Sequence, residues 1–123
     1  MTIKELINYV GTPYQQLDSN GKALGCLLPF YLLNPDAPRF DWPPSNVSFN
    51  EYVLNHLKRR CLPVQYTDKQ CGDIVIIYMP FGYIHFGIYI GSNKIIHCMT
   101  DDAMEIYDLS HTGRRKEVYR WAL

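Results

Sequence analysis

The apolar positions at the start of the chain recur at helical spacing, with capping signals around them. Residues 2–5, Thr-Ile-Lys-Glu, fit a capping box, in which the threonine and glutamate side chains satisfy free N–H groups at a helix start. Gly11 and Pro13 end the pattern. The spacing predicts a first helix with one buried stripe, formed by Ile3, Leu6, Ile7 and Val10.

Two more helices are predicted before residue 61. The apolar run over residues 24–33 suits a helix if Pro29 lies in the first turn, where its missing N–H breaks no helical hydrogen bond. Four prolines make residues 34–48 an irregular surface segment. A second capping box, residues 48–51, opens a helix to about Arg60, and its buried face is expected to hold Phe49, Val53 and Leu57.

The second half of the chain changes to short β-branched and aromatic runs separated by turn residues. These runs predict strands over residues 73–79, 84–90, 94–99, 104–108 and 117–122. Helices followed by consecutive strands are typical of the α+β class, with N-terminal helices packed on an antiparallel sheet of five to six strands. A chain of 123 residues is long enough for one core, so we expect a single domain over residues 1–123.

Charge adds little to this picture. Twelve basic residues balance twelve acidic ones, so no net field attracts nucleic acid or an anionic membrane, and no nucleic-acid partner is expected. The basic clusters at residues 58–60 and 114–116 could contact phosphate, but we interpret them as a helix C-terminus and a turn.

The expected site of synthesis is inferred from the absence of targeting and membrane-spanning segments in the sequence. No apolar signal region begins the chain, and no stretch is long enough to span a membrane. We therefore expect synthesis in the cytoplasm, with release by lysis or inside a larger particle as the route to any outside target. The four cysteines form no CxxC pair and are expected to be free thiols; a bridge between Cys61 and Cys71 is allowed but not indicated.

Candidate chemistry concentrates at Cys26, His85 and His97. A thiol at a helix start and an imidazole on a strand are the parts of a thiol hydrolase, because the thiol needs a base or a cation to act as thiolate. Each residue also has a structural interpretation. Cys26 suits an apolar core, His85 suits a solvent-facing position, and a zinc site of all three residues is conceivable although their spacing fits no standard zinc motif.

The two histidines can act together only if they lie on one face of the sheet. Side chains alternate along a strand, so a plain two-residue turn at residues 92–93 would put His85 and His97 on opposite faces. An odd loop or a β-bulge reverses this. We predict such an irregularity, and we expect Cys98 to point to the other side as structural filler.

Five motifs in order resemble the NlpC family of cell-wall cysteine peptidases: Gly-Thr-Pro-Tyr at 11–14, Cys26, Gly-Asp-Ile-Val at 72–75, His-Phe-Gly-Ile-Tyr-Ile-Gly at 85–91 and Ile-Ile-His at 95–97. The resemblance implies a compact papain-like fold, with Cys26 as nucleophile, His85 as general base, His97 as the orienting residue and Tyr14 beside the thiol. It implies no cofactor. The family usually has Asp before its cysteine, where this chain has Gly25.

The resemblance further implies a hydrolase that cuts peptidoglycan stem or cross-link peptides through a thioacyl-enzyme. A bare domain of this kind suits a bacteriophage tail or lysis component, whose partners would include other tail proteins. The alternative is a non-catalytic tail-tip module on the same fold with a degenerate site. A related acyltransferase or lipid-directed thiol enzyme is also open.

Overall fold

The computed structural model of the chain describes residues 1–44, 48–99 and 102–121, with only the backbone described at 49 and 50. Within these residues the chain forms three α-helices, six strands and several short 3₁₀ turns. The helices are α1 (Ile3–Ile7), α2 (Leu28–Leu33) and α3 (Phe49–Arg60). The strands are β1 (Cys61–Val64), β2 (Ile74–Tyr78), β3 (Ile84–Gly91), β4 (Lys94–Cys98), β5 (Met104–Asp108) and β6 (Lys116–Trp121).

The strands form one sheet in the order β1-β6-β2-β3-β4-β5, and the described pairings are antiparallel. The predicted α+β class is confirmed, and the arrangement is compatible with a compact papain-like fold. The predicted strands agree with β2 to β6 within one or two residues, although position 122 lies outside the described residues. The sequence missed β1, which contains Pro63 and pairs only with β6 at the edge of the sheet, where proline is tolerated.

The two faces of the sheet pack differently. The helix-side core joins the helices to one face and includes Leu6, Leu27, Phe30, Val53, Ile76, Phe86, Ile96 and Cys98. The opposite face carries a smaller group, the back-face cluster, formed by Val75, Ile77, Ile95, Leu109 and Val118. Since side chains alternate along a strand, neighbouring residues of β3 and β4 belong to different faces.

The hydroxyl half of both predicted capping boxes is present. The Thr2 hydroxyl accepts from the Glu5 N–H at 3.1 Å, and the Ser48 hydroxyl accepts from the Glu51 N–H at 3.4 Å. The stripe predicted for the first helix is only partly correct, because α1 ends at Ile7 and leaves Val10 exposed. On α3, Val53 and Leu57 are buried as predicted; the predicted side chain of Phe49 is not among those described.

The segment before α3 is irregular, as predicted, over residues 34–44; residues 45–47 lie outside the described chain. Its Phe40 ring lies 5.5 Å from the Tyr52 ring and 5.0 Å from the His56 ring. His56 is therefore half-buried. None of the described helices is long and apolar enough to cross a membrane.

An ion pair with a buried carboxylate fixes the start of β2 against β6. Asp73 is 2% exposed, and its carboxylate accepts from Arg120 Nε at 2.8 Å and Nη2 at 2.9 Å. The Gln70 N–H donates to the same carboxylate at 2.8 Å. The Gly-Asp motif at 72–73 therefore ties the central hairpin to its neighbouring strand.

Candidate active site

The register of β3 against β4 brings His85 and His97 to the same face. Gly87 pairs with His97 and Gly91 pairs with Lys94, with a register shift between Tyr89 and Gly91. His85 lies two residues from Gly87, so it shares the face of His97. The predicted irregularity is confirmed as a β-bulge beside a two-residue turn, in which Ser92 and Asn93 have φ values of 52° and 59°.

The glycine between the two histidines is required by packing. A Cβ atom at Gly87 would lie 2.5 Å from Ile95 Cδ1 and 3.1 Å from Ile95 Cβ. The Ile95 side chain belongs to the back-face cluster, so it has little room to move. The absence of a side chain at Gly87 thus lets β4 pack closely against β3 at the position of His97.

His97 is held by a carboxylate on the next strand. It is 3% exposed, and its Nε2 atom lies 2.8 Å from Glu105 Oε1. Its other nitrogen, Nδ1, is buried and makes no hydrogen bond among the described residues. When Nε2–H donates to the carboxylate, Nδ1 of the neutral ring is an acceptor. The His85 ring is the neighbour it could serve, with centroids 5.0 Å apart.

The environment of His85 favours its neutral form. Burial lowers its pKa, and the neighbouring His97 lowers it further, while Glu105 opposes the shift. At neutral pH the ring is therefore mostly unprotonated and able to take a proton.

Cys26 lies in the 3₁₀ turn Gly25–Leu27, which leads directly into α2. Pro29 falls in the first turn of α2, as predicted. Gly25 has a φ of +52°, a left-handed conformation that glycine adopts without strain, and its N–H donates to Gln15 O at 2.9 Å. The change from the family's usual Asp to Gly25 therefore matches a backbone requirement of this turn.

The surroundings of Cys26 disfavour the thiolate form. Burial, with a smaller contribution from the nearby Cys98 thiol, raises the pKa of Cys26 to about 12. The thiol packs against the helix-side core, whereas His85 shares a face with His97. Within the described chain no hydrogen bond joins the Cys26 thiol to the His85 ring, so the imidazole does not stabilise a thiolate here.

A cavity at the end of the sheet, the thiol cavity, nevertheless connects Cys26 and His85. It has a volume of about 400 Å³, and Cys26 and His85 both line it. Cys98 lines it as well and belongs to the helix-side core, as predicted for a residue next to His97. The remaining lining is apolar or aromatic and comes from Met79, Pro80, Phe81, Tyr83, Ile84, Phe86 and Met99.

A smaller cavity of about 160 Å³ lies on the histidine side of the sheet. His85, His97 and Glu105 line it together with Tyr107 and Thr112. His85 therefore lines both cavities, and its imidazole stands between the thiol cavity and the His97–Glu105 pair.

Tyr14, the cysteines and the conceivable zinc site are the remaining predicted features of the site. Tyr14 and Cys26 both pack against the helix-side core. The residue after Tyr14, Gln15, accepts a hydrogen bond from the Gly25 N–H through its backbone carbonyl. The role of Tyr14 in substrate binding stays a prediction. All four cysteines are free thiols. Among the described residues no group of three His, Cys, Asp or Glu side chains is arranged to hold a metal ion.

Sequence reasoning missed Glu105. Glu105 is the residue that pairs with His97 across β4 and β5. Only the register of β5 reveals this. The place of Glu105 between Met104 and Ile106 in a predicted strand was the one available signal.

Residues 67–122, slightly less than half of the chain, match the family model described as lecithin retinol acyltransferase. That family belongs to the NlpC superfamily of papain-like cysteine enzymes. The matched segment contains His85, His97 and Glu105, and Cys26 lies outside it. No curated protein sequence matches the chain. Over its sheet, the chain is therefore similar to the lecithin retinol acyltransferase family and, through it, to cysteine enzymes with a hydrolase or acyltransferase fold.

Proposed function

We propose that this chain is a cysteine-dependent acyl-transfer enzyme with Cys26 as the nucleophile and His85 as the general base. The observation that carries the proposal is the cavity of about 400 Å³ that both side chains line. The family match over the segment with both histidines supports the same class of chemistry.

The reaction starts from a neutral pair. The thiol proton passes to His85 as the sulfur attacks the acyl carbonyl carbon. A thioester bond forms, the bond to the leaving alcohol or amine breaks, and the imidazolium of His85 protonates that leaving group. Water or an acceptor alcohol then attacks the thioester with His85 as base, which releases the acid or a new ester and restores the thiol.

His97 and Glu105 orient the base in this scheme. With Nε2–H donated to Glu105 at 2.8 Å, His97 Nδ1 can accept the second N–H of His85. Formation of this hydrogen bond would fix the tautomer of His85, and the Glu105 carboxylate would compensate the positive charge that develops on the two rings.

The lining of the cavity favours an apolar acyl group as substrate. Among the described residues that line it, His85 is the only side chain that can carry a positive charge, and none is lysine or arginine. Peptides rich in carboxylates would lack a partner there, whereas a hydrocarbon chain would contact methionine and phenylalanine. The matched family is named for an acyltransferase, which agrees with this choice.

Cleavage of peptidoglycan peptides is the second candidate, and the order of the sequence motifs favours it. Cys26 precedes both histidines with the spacing that resembles the NlpC cell-wall peptidases. A bacteriophage tail or lysis role would then explain access to the wall.

The test compares p-nitrophenyl esters of acetate and octanoate with purified peptidoglycan. We expect octanoate to be released faster than acetate and an octanoyl thioester to appear on Cys26 by intact and peptide mass spectrometry. Cys26→Ala should reduce turnover on the order of 10³-fold or more, and His85→Gln by about 10²-fold or more. Cys71→Ala, which removes an exposed thiol, is the matched control and should keep full activity.

The alternatives predict different results. New peptide ends in digested peptidoglycan without ester turnover would favour the peptidase. A folded chain that processes neither substrate would favour the non-catalytic tail-tip module. Turnover that survives Cys26→Ala would contradict both thiol mechanisms.

A further inference from the structure

The loop between β2 and β3 carries the most exposed aromatic side chain described in the chain. Phe81 is 97% exposed and Tyr83 is 64% exposed. Both residues also line the thiol cavity. Scattered exposed apolar residues are ordinary, but a wholly exposed phenylalanine at the mouth of an apolar cavity calls for a partner.

The backbone holds this phenylalanine outward. Phe81 has a φ of +62°, a left-handed conformation that is uncommon and strained for an aromatic residue. The loop is closed beneath it, because the Met79 N–H donates to Tyr83 O at 2.8 Å. The exposure of Phe81 therefore belongs to a closed hairpin tip.

Basic side chains lie at the same end of the sheet. The Tyr78 N–H donates to Arg115 O at 2.9 Å, which places the turn before β6 next to this loop. The Arg115 side chain is 72% exposed, with its guanidinium 4.8 Å from the Tyr78 ring centroid. Arg114 is exposed as well. Glu117, 3.6 Å from Arg115, neutralises part of this charge.

We propose that this end of the sheet docks on an anionic lipid surface. Phe81 would insert below the headgroups, Tyr83 would lie at the interface, and Arg114 and Arg115 would contact lipid phosphates. An apolar tip beside cations is the chemistry that a charged bilayer surface recognises. A single loop is too small for the roughly 1,000 Å² that a stable protein interface buries. Docking would open the apolar cavity toward acyl chains.

The test measures sedimentation of the protein with vesicles of phosphatidylcholine alone and of phosphatidylcholine with phosphatidylserine in equal amounts. We expect binding to the mixed vesicles, and Phe81→Asn should weaken it by about tenfold or more. Arg114→Gln should weaken it about fivefold on the mixed vesicles and leave binding to phosphatidylcholine unchanged. Leu62→Thr, which removes a leucine that is 59% exposed on β1, is the matched control and should bind as the wild type does.

A second measurement locates the contact. Phe81→Trp should show emission quenching by lipids brominated in their acyl chains beyond that of the wild type. Equal binding by Phe81→Asn and the wild type, or no vesicle binding at all, would overturn the proposal. So would a lipid-free dimer that Phe81→Asn dissociates, since a second copy would then cover the loop. Cys26→Ala should bind vesicles normally, so a failure of thiol chemistry is distinguishable from a failure of docking.

Discussion

His85 and His97 share one face of the sheet, with their ring centroids 5.0 Å apart, because a single β-bulge shifts the register of β3 against β4. Without that shift, His97 would point into the helix-side core, where Cys98 now lies. One extra residue in the hairpin therefore determines whether the second imidazole can act on the first. Side-chain alternation along β4 puts the next residue, Cys98, on the other face, where it lines the thiol cavity.

The first prediction concerns pH and stability. Burial and His97 lower the pKa of His85 in the folded chain, so the unfolded chain binds its proton more readily. The free energy of unfolding should therefore fall as pH decreases below about 6.5, the unfolded value, until the lower folded pKa is passed. Urea denaturation across this range should show a smaller decrease in His85→Gln than in the wild type. An identical pH dependence in the two proteins would contradict the prediction.

The second prediction concerns the resting thiol. A pKa of about 12 leaves Cys26 almost entirely protonated at neutral pH. Iodoacetamide should therefore modify Cys26 at least about a hundredfold more slowly than the exposed Cys71, which serves as an internal reference in peptide mass spectrometry. His85→Ala should not change the Cys26 rate. Rapid alkylation that depends on His85 would instead reveal a resting thiolate–imidazolium pair.

Catalytic pH dependence gives the third prediction. His85 must be neutral to accept the thiol proton, so kcat/KM should fall as pH decreases through its lowered pKa. The acid limb of the profile with the octanoyl ester should lie below about pH 6.5, the ordinary value for histidine. Glu105→Gln removes a carboxylate that raises the pKa of His85, so the acid limb should move to still lower pH. A limb above the ordinary histidine value would indicate a different base.

The sequence predicted what depends on local chemistry and missed what depends on packing. The N-cap residues Thr2 and Ser48 and the β-branched runs of β2 to β4 are local signals, and they placed two helix starts and these strands correctly. The β-bulge was predicted because only an irregular register puts His85 and His97 on one face of the sheet. Glu105 needs the register of β5, and the raised pKa of Cys26 needs the packing of its turn against the sheet. Neither can be read from spacing along the chain.

Gly25 provides a fourth prediction, at the turn that positions the thiol. Its φ of +52° would strain any residue with a Cβ atom, so Gly25→Ala should lower the free energy of unfolding by about 1 kcal/mol. Gly113→Ala is the matched control, because that position has an ordinary φ and nothing within 4 Å of the added methyl group. The control should leave stability unchanged or raise it slightly. Urea denaturation of the two variants measures the contrast, and equal effects would show that the turn tolerates a side chain.

The fifth prediction uses Phe81 to separate stability from function. The left-handed backbone at this position suits asparagine better than phenylalanine, and a ring that is 97% exposed contributes almost no buried surface to the fold. Phe81→Asn should therefore raise the free energy of unfolding by about 0.5–1 kcal/mol. The same substitution should weaken vesicle binding, so stability and docking should change in opposite directions. Thermal unfolding and vesicle sedimentation on one preparation test both at once. A variant that loses both stability and binding would instead mean that the phenylalanine supports the loop itself, because a residue kept only for an external partner cannot stabilise the free protein.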